Sequence, residues 1–219
     1  MQEKQKKYEL TDEFIEHWSG KKLYRIRALV TFGAVVAGQL GGFVESEKNL
    51  DQSLSGNAWV YGNARVYGDA EVYGNARVYG DAEVYGNAWV YGNARVYGDA
   101  RVYGDARVYG NAQVYGDARV YGNAQVYGDA QVYGDAQVRS YAVISERKMI
   151  FWASNVGSEN GTLTVFNGKD GLIVTRGCFT GTVDEFLAKS AEVHDDKTKN
   201  EYKLLIEVAK SRILGVKDE

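Results

Sequence analysis

The chain has 219 residues, with 26 basic against 29 acidic side chains, a formal charge of −3, a single cysteine and no proline. A near-neutral balance speaks against an extended polyanion as partner, and one cysteine excludes an internal disulfide framework and suits a reducing compartment. No run reaches the roughly 20 apolar residues of a membrane helix, and the opening MQEKQKKYELTDE lacks the apolar core of a secretion signal, so a cytoplasmic location is expected. Residues 22–44 then hold a β-like run, Leu23 to Phe32, followed by glycine-broken apolar pieces. Val36 and Leu40 there share the phase of the segment that follows, which predicts an irregular first coil or a plug.

From Gly56 to Arg139 the chain writes fourteen consecutive units of the form Gly-Asn/Asp-Ala-x-Val-Tyr, the last ending in Arg. A period of six is a multiple of the two-residue period of a strand, so every unit keeps one in–out phase. Counting from Val60, Val points in, Tyr61 points out, Gly62-Asn63 makes a corner, Ala64 points in and Arg65 points out. Glycine and Asn/Asp tolerate the positive φ of a tight bend, and alanine suits the crowded inside of a corner. A helix fails, since a glycine every sixth residue costs about 1 kcal/mol each and no face gathers apolar residues at i, i+3 and i+4. Leu54 before the repeat and Ala142 and Ile144 after it extend the phase.

Hexads of the form aliphatic-x-Gly-Asn/Asp-small-x resemble the hexapeptide repeat of left-handed parallel β-helices. The resemblance implies three hexads per triangular coil, hence a mainly β fold with about five coils at roughly 4.8 Å per coil. A single coil cannot bury its Val and Ala, and the two end coils expose open edges, so both flanks are expected to cap the solenoid. Tyrosine stands where that family usually has a small residue.

Beyond the repeat, residues 149–154, 162–166 and 171–178 read as three strands, with NGKDG at 167–171 as a hairpin turn. Thr182 and Glu185 form a capping box that starts a helix running to about Val193. A second helix, about Asn200 to Leu214, places Tyr202, Leu205, Val208 and Ala209 on one stripe. The expected organisation is an N-terminal cap at 1–53, the β-helix at 54–145 and a small α+β capping domain at 146–219. The two flanking blocks, taken with the repeat, are similar to a group of hexapeptide-repeat proteins from gut bacteria and their phages. That resemblance implies an architecture and a phage or prophage setting, with the host cytoplasm as location, and no particular activity.

The acyltransferases that share this kind of solenoid use a histidine as general base, which must reach the acceptor hydroxyl. This chain has two histidines, His17 and His194, and neither lies in the repeat. A Cys178–His194 pair with Asp184 is conceivable as a nucleophilic arrangement, but a half-buried small apolar cysteine in a capping domain is the plainer reading. His194 reads as a solvated residue near a helix end. Asp195-Asp196 lacks further ligands for a metal, and the GSENG segment at 157–161 reads as a plain turn rather than an anion nest. No cofactor is expected.

Folding the hexads three per coil sorts the outward residues into three walls. Columns of tyrosine run along them, with Arg, Gln, Glu and Trp beside them. Stacked tyrosines stabilise a solenoid without any ligand, and the same broad amphipathic walls suit subunit association. The expected function is a non-enzymatic binding or assembly protein that uses Tyr/Arg walls for oligomerisation, a trimer by the resemblance, or for partner contact. Aromatic rings edged by Arg, Asn and Gln also suit a small sugar or nucleotide ligand. The alternatives are a phage anti-defence protein that sequesters a small nucleotide signal or binds a host defence protein, and a hexapeptide-type acyltransferase. Candidate contact residues are Trp59, Arg77, Tyr79, Trp89, Arg95 and Tyr97 on the walls, with Arg139, Tyr141, Trp152, Asn155 and Arg176 where the repetition breaks.

Overall fold

The computed structural model describes residues 5–215. The outermost residues of the two expected caps, 1–4 and 216–219, lie outside the described residues. The repeat forms a parallel β-solenoid of about six turns. Each hexad contributes a two-residue strand, and every third strand falls in the same sheet. Arg95–Val96, for example, pairs in parallel with Arg77–Val78 on one side and with Gln113–Val114 on the other. The repeat Val and Ala side chains are buried throughout and form one continuous core. Burial of each Val contributes roughly 1.5–3 kcal/mol.

Neighbouring coils are joined by main-chain bonds, as in Arg95 N to Ala112 O (2.9 Å), Tyr97 N to Val114 O (3.0 Å) and Asp99 N to Gly116 O (3.0 Å). The corners make this spacing attainable. The repeat glycines from Gly62 to Gly134 all have φ between +59° and +75°, a region that other L-residues enter at a cost. They also lie directly on one another, so a Cβ on Gly98 would meet the nitrogen of Gly116 at 3.0 Å. At the last corner Ser140 takes the glycine's place, with φ of 61°.

The N-terminal region extends one wall. Tyr8–Glu16 and Lys22–Ala28 form an antiparallel hairpin, and Leu40–Val44 pairs with Lys22–Ala28 and then, in parallel, with Arg65–Val66. An irregular first coil is therefore present, but not in the expected phase. Val44 lies against Val66 and Leu50 against Val72; a 3-10 turn at Glu47–Asn49 forms the corner between them, and the residues beyond the ordinary coil length fall between Leu50 and Val60. Leu50, not Leu54, fills the inward position, and Val36, Leu40 and Leu54 are all exposed. This added coil is why the solenoid has about six turns rather than five.

Both open ends of the solenoid are closed by polar side chains of the flanks. At the N-terminal end the buried Asn49 amide donates to Gly68 O (3.0 Å) and Ala70 O (2.9 Å), and buried Lys7 Nζ donates to Ala58 O (3.3 Å). At the C-terminal end Gln137 N donates to Thr164 Oγ1 (3.1 Å), and Thr175 Oγ1 donates to Gln137 O (2.8 Å). Unpaired edge groups would otherwise be buried at a cost of about 1–3 kcal/mol each.

The C-terminal region is an antiparallel sheet of Ile150–Val156, Gly161–Gly168, Gly171–Arg176 and Phe179–Thr182; the last strand goes beyond the three read from the sequence. Helix α1 spans Val183–Val193 with the Thr182/Glu185 capping box in place, and α2 spans Asp196–Leu214. Helix α2 begins earlier than expected because Asp195 caps it, accepting from Thr198 N at 2.8 Å. Its buried stripe is Tyr202, Ile206, Ala209 and Ile213, while Val208 is exposed. Strand alternation divides the sheet's two faces: Leu163 and Val165 pack with the helices, whereas Phe166 joins the solenoid core.

Replacing Gly98 by Ala is expected to destabilise the fold more than replacing Gly20, whose Cβ would meet nothing within 4 Å and whose φ is also positive. The Gly20→Ala change carries only the left-handed backbone penalty of about 1–2 kcal/mol, and Gly98→Ala adds a main-chain clash. Urea unfolding of the two variants checks this ordering.

Candidate functional site

Because every coil repeats the one beneath it, the outward tyrosines fall into register. Rings stack along Tyr67–Tyr85–Tyr103–Tyr121, along Tyr73–Tyr91–Tyr109–Tyr127 and along Tyr79–Tyr97–Tyr115–Tyr133. Centroids are 4.7–5.0 Å apart and planes within 6° of parallel, the offset contact that aromatic rings favour. The stacks have defined ends. The His17 ring lies 4.6 Å from Tyr67, Arg139 Cζ lies 5.8 Å over Tyr121, and the Trp152 edge meets Tyr133 at 4.3 Å and 85°. Tyr61 precedes the third stack and packs instead against the core.

Charge on the walls is distributed unevenly. The strand register sets Arg77 against Arg95, and Arg101 against Arg119. Among the described residues, the ion pairs that involve repeat side chains are Arg65–Glu83 (2.9 Å) and Lys48–Asp69 (2.6 Å), so neither arginine pair makes an ion pair, although Glu83 is the strand neighbour of Arg101. At one corner Asn57, Asn75, Asn93 and Asn111 pass hydrogen bonds along a ladder that ends on Asp129, each 3.1–3.2 Å. At the next corner Asp81, Asp99, Asp117 and Asp135 stand in a column, and carboxylates cannot continue such a ladder. Asn63 donates to Asp81 (3.3 Å) and Ser154 to Asp135 (3.0 Å). Asp99 and Asp117 are left without a side-chain partner among the described residues.

The residues singled out from the sequence separate into distinct environments. Trp59 is not on the outer surface: it is fully buried, with Tyr8 and Phe32 edge-on at 6.0 and 5.4 Å, because the N-terminal segment covers that first rung. Arg77, Arg95, Tyr79 and Tyr97 lie together on one wall. Trp89 is 38 % exposed on another wall, with Arg107 Cζ 5.0 Å over its ring. Arg139 donates to the main-chain oxygens of Gly177 (3.3 Å) and Phe179, docking the C-terminal sheet. Arg176 is held internally, donating to Tyr202 Oη (3.0 Å) and Val156 O (3.2 Å). Tyr141 is 62 % exposed, and Asn155 is an exposed residue with φ of 59° where the pairing of its strand shifts. Trp152 lines a cleft with Gln131, Tyr133, Arg147 and Arg212. Sequence reasoning passed over Arg147 and Arg212, which lie outside the repeat and in different elements. The facing arginine pairs, by contrast, were readable once each residue was aligned with the one a coil away.

Of the groups weighed for catalysis, Cys178 is exposed rather than half-buried, and His194 caps the C-terminal end of α1 with its ring 5.5 Å from Tyr202. Hydrogen bonds from Thr198 hold the Asp195 carboxyl below its ordinary range. Asp196 pairs with Lys199 at 3.1 Å. In the turn after Val156, Gly157 N donates to the Glu201 carboxylate (2.9 Å), so a protein acid already occupies that main-chain donor. Among the described residues no cluster of three His, Cys, Asp or Glu side chains could hold a metal, and no helix is long and apolar enough to cross a membrane.

Stacking also shapes the titration of the walls. Burial, reinforced by Tyr121 and Tyr85, pushes the Tyr103 phenol up to about 12, and burial followed by Glu83 pushes Tyr67 up as well. Unfolded tyrosines ionise near pH 10, so the folded chain binds more protons above that pH. The stabilisation is therefore full below about pH 10 and is lost as pH rises towards about 12. Urea midpoints followed from pH 9 to 12 alongside phenolate absorbance are expected to fall in step with ionisation.

Segments 58–72, 70–86, 88–102, 100–112, 112–128 and 124–140 match the model of the YdcK β-solenoid repeat. No curated protein matches the chain. With the geometry of the coils, the match makes this chain a β-helix repeat protein.

Proposed function

We propose that the protein is a non-enzymatic assembly and binding protein whose solenoids associate side by side through their Tyr/Arg walls. One observation carries the reading: the unpaired arginine columns run beside an unpaired aspartate column on the same coils. Two like charges about 5 Å apart repel by on the order of 1 kcal/mol even in water-like surroundings. Arg101 against Arg119, and Asp99 against Asp117, are like-charge neighbours of this kind within one chain. The same residues become favourable against a second copy, because with axes parallel the arginines of one solenoid stand level with the aspartates of the next. Such a contact is heterologous and closes into a ring if each copy is rotated by a third of a turn, which three walls suit. The reading is accordingly a trimer. Tyrosine stacks supply a flat, rigid, amphipathic surface between the charged columns, of the composition favoured at interfaces.

A non-enzymatic role is supported by the absence of histidine from the repeat and by the employment of the two histidines elsewhere: His17 against Tyr67 and Ser19, and His194 at a helix end. The likeness of both flanking blocks to proteins of gut bacteria and their phages supports a phage or prophage setting, with the host cytoplasm as the place of action.

Native mass spectrometry at low salt is expected to give a trimer that dissociates as salt is raised, since exposed charge contacts are screened. Arg101→Asp with Arg119→Asp should yield monomer, as should Asp99→Arg with Asp117→Arg, and the fourfold exchange should restore the trimer. A monomer at tens of micromolar wild-type protein, or an oligomer indifferent to these exchanges, contradicts the reading.

A further inference from the structure

Where the solenoid meets its C-terminal cap, a cleft of about 350 Å³ opens on the wall of the third tyrosine stack. Four elements converge on it: the last rung of that wall with Tyr133, the turn Arg147–Met149, the strand Ile150–Val156 and the end of α2. Its aromatic part is a right-angled corner, Trp152 edge-on to Tyr133, whose ring is 40 % exposed and ends the stack. Its polar part is the Gln131 amide and two guanidinium groups, Arg147 and Arg212. Both arginines are exposed, and among the described residues neither takes part in an ion pair or side-chain hydrogen bond and no carboxylate lines the cleft. The dipole of α2 explains a cation in its last turn, but it does not explain a second one, from another element, beside the same rings.

We propose that this cleft binds a small aromatic anion, a planar ring bearing one phosphate and of mononucleotide size. The ring would rest in the Trp152–Tyr133 corner with its edge towards the Gln131 amide, and the phosphate would take the two guanidinium groups, whose planar forks bind phosphate oxygens in a bidentate manner. The volume lies at the small end of ligand sites, enough for one ring and its phosphate and too little for a polymer. Ordinary surface arginines would be satisfied by solvent alone. The combination with an aromatic-lined recess is what singles these two out. Both arginines lie outside the repeat and outside the charged columns, so exchanges at Arg101, Arg119, Asp99 and Asp117 test assembly and replacements of Arg147 and Arg212 test the cleft.

Isothermal titration calorimetry of the full chain with AMP, GMP, CMP and UMP tests it, with adenosine and inorganic phosphate as the ring-only and anion-only probes. One mononucleotide is expected to bind at one per chain, at least tenfold tighter than either probe. Arg147→Ala and Arg212→Ala should each weaken it roughly tenfold or more, as expected for a lost charge-assisted bond, with both variants retaining the wild-type circular dichroism spectrum. No binding of any of the four, equal binding of adenosine, or wild-type affinity in the double variant overturns the proposal.

Discussion

Everything in this molecule depends on the contact of one corner glycine with the glycine a coil away. The backbone turns there with a positive φ and lies so close to the next coil that a single added carbon would strike its main chain. That contact sets the height of a coil, and coil height sets the rest. It brings each amide within reach of the carbonyl above, lays Val on Val and Ala on Ala inside, and stacks rings at 4.7–5.0 Å outside. The ladder of tyrosines is therefore a consequence of the corners. It adds ring contacts to a spacing the backbone has already chosen.

The same regularity explains why the middle of the solenoid is uniform and the irregular surfaces lie at its ends. A structure that repeats a unit cannot distinguish one unit from another except by the variable outward residue and the Asn or Asp at the corner. Those residues differ chiefly in charge, giving columns of arginine and glutamine on the walls and of aspartate at one corner. Enclosure appears where another element rises against the solenoid. At the N-terminal end this produced a dry cap of Trp59, Tyr8 and Phe32. At the C-terminal end it left a recess beside Trp152.

How much of this the sequence reveals follows from where local pattern decides structure. The in–out phase of Val60, Tyr61 and Ala64, the corner at Gly62 and the capping box of Thr182 with Glu185 are all local, and all were legible. The first coil was not, because a four-residue excess between Val44 and Val66 shifts its phase, so that Leu50 takes the place that period alone gives to Leu54. Trp59 has the outward phase of its wall, and only the return of the N-terminal strand over it makes it core. Arg139 and Arg176 stood among the candidate contact residues because their acceptors, backbone oxygens and the Tyr202 hydroxyl, lie far along the chain, where no local pattern announces them. Arg147 and Arg212 went unnoticed for the converse reason: two isolated arginines acquire meaning only when folding sets them around the same rings.

The charge columns bind the architecture to its proposed role, since like charges stand side by side in one copy and would face opposite charges in the proposed trimer. Small-angle X-ray scattering at low salt measures that arrangement directly. Three solenoids with parallel axes predict a particle whose longest dimension stays close to that of one chain while its cross-section broadens. A particle of single-chain mass, or one lengthened along the solenoid axis by stacking end to end, would contradict side-by-side association through the tyrosine and arginine walls.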